Sequence, residues 1–380
     1  MKIGIEAQRI FRKKKHGMDM VALELIRHLQ QIESDDEFVV FVKPDEDSAC
    51  LQESKNVKIV NVKPASYPVW EQILLPAAAK KEGIDLLHCT SNTAPLFMSM
   101  PLVLTLHDII YLEKLNFKEG TTYQKFGNLY RRWNVPAIVG KAKAIITVSE
   151  FERQKILAHF KMPESNVHTI YNGVGNHFCK ITDKNLLVQA KEKFQLPDKY
   201  IFYLGNTDPK KNVSGVIKAL SILKAKGILP CKLLMLDIDR EFLTHIAGQI
   251  GDPSILNEIV FTGYVSNKDL PAIYSQASMF LYPSLRESFG IPMIEAMRCE
   301  VPIITSNTSC MPEIAGDAAL FVNPFNAGEI ADAIVRLYHD TGLQNSLVAK
   351  GKIRAEIFSW DKNAMQTIDL YRQVVNSAKS

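Results

Sequence analysis

The stretch Ser284-Leu-Arg-Glu-Ser-Phe-Gly-Ile-Pro-Met-Ile-Glu-Ala-Met297 sets the reading of the whole chain. An apolar run, Met279-Phe-Leu-Tyr282, leads into it and has the composition of a buried strand. Pro283 ends that strand, Gly290 supplies a turn free of side chain, and Pro292 suits the first position of a helix through Ile294, Ala296 and Met297. Strand, glycine turn and helix start together make an anion site, because free backbone N–H groups and the helix dipole converge there. Two carboxylates, Glu287 and Glu295, flank that spot with seven residues between them. Carboxylates repel a bare phosphate, but they can take hydroxyls on either side of a diphosphate, one set on a sugar and one on a ribose. That pattern describes a nucleotide-sugar. The plainer alternative is a surface Glu in a turn and a second Glu favoured by the helix dipole.

Outward from this stretch, apolar strand-like runs recur at the spacing of βα units. In the first half they are Ile3–Ile5, Phe38–Val42, Val57–Val62, Leu86–Cys89, Leu102–Leu106, Ala144–Val148 and Val167–Ile170. They restart at Tyr200–Leu204 and continue at Lys232–Leu236, Ile259–Phe261, Met279–Tyr282, Pro302–Thr305 and Leu320–Val322. Two successive sets predict an α/β protein of two Rossmann-like doubly wound domains facing a cleft, over residues 1–178 and 195–361. A length of 380 residues suits two domains, and 47% hydrophobic with 23% charged residues is ordinary globular composition, which excludes a disordered chain.

No run of eighteen apolar residues occurs, and Met1-Lys-Ile-Gly-Ile reads as a strand rather than a signal peptide. Six cysteines without a close pair argue against a disulfide framework or zinc. A cytoplasmic protein is expected. Residues 1–180 carry 24 Lys+Arg against 20 Asp+Glu, and residues 181–380 carry 21 against 21. The excess positive charge in the first half favours an anionic partner there, a lipid diphosphate or a membrane surface, unless it is a chance surface balance.

The loops after the strands hold the candidate residues. Gly17 follows a basic run after the first strand, where backbone can approach a phosphate or where a solvated loop simply turns. His107-Asp108 ends a strand, either as a ligand site at its carboxyl end or as a structural cap. The aromatic and basic stretch 121–133 either faces an acceptor lipid or sugar or packs its rings inward. Ser149 reads as a helix N-cap, with Glu150 and Arg153 placed to line the cleft. Gly205, Asn206 and Lys211 lie between a strand and a helix and form a second phosphate cradle.

The spacing Glu287-x7-Glu295 inside Pro-Ser-x-x-Glu-Ser-Phe-Gly-Ile-Pro-x-x-Glu-Ala-Met resembles the signature of the retaining, GT-B-fold glycosyltransferases of family 4. The likeness continues at Thr105-x-His107-Asp108 with Ile109-Ile-Tyr-Leu112, at Val148-Ser149-Glu150-Phe151, at Asn172-Gly173-Val174, at Pro209-x-Lys211-Asn212 and at Gly263-Tyr264. It covers nearly the full length and is nearest to the mannosyltransferase-B-like branch, which builds bacterial surface polysaccharides. The resemblance implies a C-terminal helix, 362–380, crossing back to an N-terminal acceptor-binding domain, with the second domain binding the donor. It assigns His107 and Glu287 to catalysis. Gly17, Gly205, Asn206, Lys211, Tyr264, Ser288, Phe289, Gly290, Ile291 and Glu295 would bind the donor, and Asp108, Glu150 and Arg153 would meet acceptor or cleft.

The family pattern has a second glycine or Gly-Arg where Asp19 stands, and an arginine at Asn206. The departure at Asn206 removes one positive charge from the diphosphate, unless Lys210 or a neighbour replaces it. The implied reaction is retaining, metal-independent transfer of a hexose, mannose at branch level, from a GDP- or UDP-linked sugar to a carbohydrate or lipid-linked acceptor. No cofactor and no nucleic acid are implied, and a peripheral contact with the inner membrane is. The competing readings are another GT-B nucleotide-sugar enzyme (an epimerase or phosphorylase), a non-catalytic sugar-binding protein, and an inactive relative.

Overall fold

The computed structural model describes residues 1–113 and 122–379. The chain divides into two units, Met1–Gly173 with the segment from Ser359 onward, and Val174–Phe358. In the first unit the described residues form seven strands: β1 (Lys2–Glu6), β2 (Glu37–Val42), β3 (Val57–Asn61), β4 (Leu86–Cys89), β5 (Leu102–Thr105), β6 (Ala144–Thr147) and β7 (Val167–Thr169). They pair in parallel in the order β3-β2-β1-β4-β5-β6-β7, with Ile5 opposite Val40 on one side and His88 on the other. In the second unit β8 (Tyr200–Tyr203), β9 (Lys232–Met235), β10 (Ile259–Phe261), β11 (Met279–Tyr282), β12 (Ile303–Ser306) and β13 (Ala319–Val322) pair in parallel as β10-β9-β8-β11-β12-β13. Both units therefore have the expected α/β, Rossmann-like architecture, and each run read as a strand is one, with ends differing by a residue or so.

Strand periodicity explains the layering. Alternate residues of one strand point to opposite faces. Val40 and Val42 join Ile3, Ile5 and the helix Gly17–Leu29 in one core cluster, while Val39 and Phe41 join Trp70, Leu75 and Ile138 in another. A parallel sheet covered on both faces needs apolar residues at every position, which is why its strands read as unbroken apolar runs.

The last helix, Trp360–Lys379, begins two residues before the expected 362–380 and lies in the first unit. Ala364, Ile368, Tyr371 and Val375 recur at helical spacing and are buried in the same cluster as the helix Gly17–Leu29. Tyr371 meets the buried His88 of β4, Oη to Nδ1, at 2.6 Å, and His88 Nε2 meets Thr105 Oγ1 at 2.7 Å. Burial, with His107 nearby, pushes the His88 pKa down to about 3, so this lock is neutral. Asn363 Nδ2 donates to the Tyr171 carbonyl at 2.8 Å, tying the start of the helix to the end of the first pass through the unit.

Candidate functional site

In an open doubly wound sheet, ligands bind beyond the carboxyl ends of the strands where the strand order reverses. In the second unit that point lies between β8 and β11. The loop after β8 carries Gly205, Asn206 and Lys211, and the loop after β11 is the Ser284–Gly290 stretch. Topology thus joins two segments about eighty residues apart in sequence.

Lys211 Nζ stands 2.6 Å from Glu287 Oε1 and donates to Tyr282 Oη at 3.1 Å. The backbone carries the lysine there through a short turn, Pro209–Lys211, whose carbonyl at Lys211 accepts from Tyr203 Oη at 2.7 Å. Gly205 has a steric reason: a Cβ there would sit 2.4 Å from the Tyr203 ring. Asn206 does not replace the absent arginine in charge; its Oδ1 accepts from the Asp208 N–H at 2.9 Å and shapes the turn. Asn212, buried at φ +61°, donates from Nδ2 to the carbonyls of Pro283 and Pro324 at 3.0 and 2.7 Å, so one amide clamps three loops.

On the facing loop, Ser309 Oγ accepts from the Glu287 N–H at 3.2 Å and donates to the Glu287 carbonyl at 2.6 Å. Ser309 does so at φ +58°, a conformation a non-glycine residue holds only when its surroundings demand it. Gly290 (φ +89°) is the N-cap of the helix Ile291–Arg298, so Ile291 opens the helix and Pro292 takes its second position, one later than the sequence suggests. Either place is open to proline, because both N–H groups lack an intrahelical acceptor. The Phe289 ring is buried edge-on against Phe358, at 5.6 Å between centroids, and Ser288 is half-buried. Phe289 thus turns its ring inward, and Gly290 beside it has no side chain to present. Glu295, in the helix's second turn, accepts from Tyr274 Oη at 2.9 Å. Burial raises its pKa to about 7 despite that hydrogen bond. Tyr264 stands exposed in the loop after β10.

In the first unit the order reverses between β1 and β4. Glu6 ends β1, and its main-chain carbonyl accepts from Thr90 Oγ1 at 2.8 Å just past β4. Arg9 Nε pairs with the buried Asp19 at 2.9 Å, and Asp19 Oδ2 accepts from the His16 N–H at 3.0 Å, capping the helix that Gly17 opens. The aspartate that departs from the family pattern is thus built into the loop as a cap and an ion-pair partner. A Cβ on Gly17 would meet nothing within 4 Å, so sterics do not demand glycine there.

His107, just past β5, is buried. Its N–H donates to Asn92 Oδ1 at 2.7 Å and its Nε2 lies 2.9 Å from the Thr90 carbonyl. A carbonyl oxygen only accepts, so Nε2 carries the proton and the neutral ring keeps its lone pair on Nδ1. Burial lowers the His107 pKa and keeps the ring neutral. Asp108 accepts from the Ile110 N–H at 3.2 Å.

Glu150 and Arg153 pair with each other at 3.0 Å, and Arg153 Nε donates to the Val167 carbonyl of β7 at 2.9 Å, so both brace a helix against the edge strand. Ser149 caps that helix by accepting from the Glu152 N–H at 3.2 Å. Of the stretch 121–133, Thr121 and the side chains of 122–126 lie outside the described residues. The rest divides: Tyr130 Oη points inward and donates to Glu71 Oε1 at 2.6 Å, while Trp133 is exposed.

Sequence reading passed over several groups of these two crevices. Tyr282, Tyr274, Ser309, Asn212 and Glu71 each act through a partner twenty to more than one hundred residues away. Only Glu71 carried a local signal, a carboxylate beside Gln72 in a mostly apolar run. It is buried on a π-helical turn, Trp70–Leu74, with Thr93 and Tyr130 as partners, and burial raises its pKa.

Two family models match the chain in succession, Glycosyltransferase Family 4 over residues 16–175 and Glycosyl transferases group 1 over residues 187–354. The chain belongs to family 4 of the glycosyltransferases and has the GT-B fold. Among curated proteins it is 31% identical over 233 residues to the O-antigen chain mannosyltransferase B of Escherichia coli, covering 61% of each chain. It is 29% identical over 280 residues to the serotype-specific mannosyltransferase WbdA of Escherichia coli, covering 72% of this chain. The chain spans 61% of the first relative's length and 33% of the second's. The Anabaena protein Alr3699/HepE, solved in complex with UDP and glucose, shares the fold at a TM-score of 0.75 and 18% identity, over 98% of this chain and 99% of that one.

Proposed function

We propose that this protein transfers a hexose, mannose by its relatives' names, from a nucleoside-diphosphate sugar to a glycan or lipid-linked acceptor in surface polysaccharide synthesis. One observation carries the reading. At the strand-order reversal of the second unit a lysine ammonium and a glutamate carboxylate stand 2.6 Å apart beside the start of a helix. A cation and the N–H groups at a helix start suit a diphosphate, and a carboxylate beside them suits sugar hydroxyls.

In this reading Lys211 and the amides from Phe289 to Ile291 stabilise the charge that develops on the leaving diphosphate. Glu287 holds hydroxyls of the transferred sugar, and Glu295 takes those of the ribose. Gly205 leaves room for the phosphates, Asn206 and Ser288 add hydrogen-bonding groups, and Tyr264 offers an aromatic face to the base. Retention follows if the acceptor oxygen attacks the anomeric carbon on the face that the phosphate leaves. The bond from that carbon to the phosphate oxygen breaks, the bond to the acceptor oxygen forms, and the acceptor's proton passes to the departing phosphate. Lys211 and the amides take the electrostatic role that a metal ion plays elsewhere, so metal independence belongs to the proposal. His107 accepts a substrate hydroxyl at Nδ1, with Asp108 and Gly17 beside its crevice in the first unit. The acceptor is met at the cytoplasmic face of the membrane.

The test is incubation with GDP-, UDP- and ADP-sugars while released nucleoside diphosphate is measured. Release with one base, accelerated by a glycan acceptor, unaffected by chelator and giving a product with the donor's anomeric configuration, supports the proposal. Interconversion of the nucleotide-sugar without release refutes it.

A further inference from the structure

The short helix Met311–Ala315 of the second unit links Glu287 to a residue far downstream. At its start, Ser309 Oγ accepts from the Glu287 N–H and donates to the Glu287 carbonyl, and Cys310 Sγ lies 3.3 Å from the same carbonyl. At its end, the last carbonyls need partners from beyond the helix. The main chain serves the outer two: the Gly316 N–H donates to the Pro312 carbonyl and the Ala318 N–H to the Ala315 carbonyl, both at 3.0 Å. Arg354 serves the two between, donating from Nε to the Ile314 carbonyl at 2.9 Å and from Nη2 to the Glu313 carbonyl. Gly316, at φ +57°, keeps that approach open, since a Cβ there would lie 3.3 Å from Arg354 Nε. Met311 and Ile314 are fully buried, so the helix is a rod with Glu287 at one end and Arg354 at the other.

The same arginine reaches this loop by a second route. Its guanidinium carbon lies 5.3 Å from the centre of the Phe358 ring, and Phe358 is the ring that Phe289 meets edge-on. Both rings are buried. Arg354 belongs to the helix Thr341–Ala355, and that helix also touches the one that Gly290 caps. Gly351 packs so closely there that a Cβ would lie 3.3 Å from Met297 Cγ. Glu287, Phe289 and the helix Ile291–Arg298 therefore all rest on one later helix and its tail.

The chemistry of the anchor suits this task. A guanidinium is a planar fork that bonds two carbonyls and lies against a ring at once, whereas an ammonium is a point charge on a flexible stem. Ser309 holds Glu287 from a left-handed backbone conformation, which lasts only where the surroundings enforce it. The helix that begins two residues later supplies that enforcement, and Arg354 pins its far end. Precision matters at a reacting centre, where a displacement of about 1 Å can cost about a hundredfold in rate.

We infer that Arg354 is a positioning residue for sugar transfer: it fixes the rod behind Glu287 and the ring behind Phe289, and so sets where the sugar-facing carboxylate stands. The inference rests on the donor reading proposed above, yet the two can fail separately. Amide exchange measures the order of the loop without any ligand, and wild-type protein alone tests donor cleavage.

The test compares Arg354→Met and Arg354→Lys with wild type, each as the full chain. Lysine keeps the charge without the fork, so it should fall between the other two in every measurement, and it carries the comparison if the methionine variant does not fold. Lys350→Met removes a cation from the same helix, where it pairs with Asp317 at 3.1 Å, and should match wild type. In Arg354→Met, hydrogen exchange read by mass spectrometry should be about tenfold faster over residues 284–291 and unchanged in β8 and β9. The sugar donors are GDP-mannose, UDP-glucose and ADP-glucose. With whichever of them wild type cleaves, kcat should fall about tenfold or more. KM should move less than about threefold, because Lys211 still holds the diphosphate. Titration with the nucleoside diphosphate counts the folded sites, so kcat is referred to active protein. Exchange over 284–291 as slow as in wild type overturns the inference, and so does faster exchange with kcat unaltered. Wild type that cleaves none of the three sugars overturns the proposed function instead, and the exchange comparison still decides whether Arg354 orders the loop.

Discussion

Lys211→Met removes the ammonium from the second unit's crevice and keeps most of the side chain's carbon stem. Lys211 and Glu287 are 16% and 11% exposed, so the pair interacts largely out of water. A hydrogen bond to a charged group contributes about 1.5–3 kcal/mol, which converts to a loss of about tenfold to about 150-fold in nucleoside diphosphate affinity. The nucleoside without phosphates should lose almost nothing. The same substitution strands the Glu287 carboxylate, so the ligand-free protein should lose about 1–3 kcal/mol of stability, read as a lower Tm. Glu287→Gln separates the two effects. In the ligand-free protein the lysine's charge is already engaged by Glu287 at 2.6 Å, and an arriving diphosphate has to compete for it. With the competing charge gone, the diphosphate should bind as tightly as in wild type or more so, while turnover of the sugar donor falls. Calorimetric titration of both variants and the double variant with nucleoside and nucleoside diphosphate measures this coupling directly. Equal losses for the two ligands in Lys211→Met would refute the phosphate role. A Glu287→Gln variant that loses the diphosphate as badly as Lys211→Met would refute the competition.

Glu295 supplies a pH test. Its pKa rises from 4.5 to about 7 in the fold, so below about 4.5 it is protonated in both states and above 7 ionised in both. Between those values only the unfolded chain ionises, so stability should fall as pH rises from 4.5 to 7, and Glu295→Gln should flatten that slope in melting curves. If ribose hydroxyls donate to the ionised carboxylate, nucleotide binding near pH 6.5 should release protons, visible as a buffer-dependent heat. Tyr371→Phe leaves His88 Nδ1 without its 2.6 Å partner inside the first unit's core and should cost about 1–3 kcal/mol, while the His88 ring stays neutral by NMR down to about pH 4. Gly205→Ala forces a methyl group against the Tyr203 ring that supports Lys211, so nucleoside diphosphate affinity should drop more than stability.

The sheets were legible because both of their faces are covered. A strand such as Met279–Tyr282 has no solvent side, and its apolar run stands out without any alternation. Helix starts were legible where the signal is local, as with Ser149 capping the helix that follows it. Pro292 misled by one residue because proline fits both of the first two positions. Partnerships were not legible. Nothing near Tyr274 in sequence reports that its hydroxyl meets Glu295, nor near Asn212 that its amide meets Pro324, since strand order brings these segments together and sequence spacing does not record it. The solvent-facing stripe of Leu129 and Trp133 could not be told from a core stripe, because helical periodicity marks a face and not what covers it.

The first unit is written in two instalments. Residues 1–173 contain all seven of its described strands, but the helix that covers Ile3, Ile5 and the helix Gly17–Leu29 is specified only after Ser359, with the whole of the second unit between. On a ribosome adding roughly 5–20 residues per second, the intervening 185 residues, Val174–Phe358, take ~10–40 s to make. The second unit, contiguous in sequence, can close during that interval. The first must wait with an apolar face open and the buried partner of His88 not yet synthesised. The vulnerable moment of biogenesis therefore belongs to the unit that emerges earliest, and a chaperone that covers its bare sheet face during that wait would act before the last helix arrives.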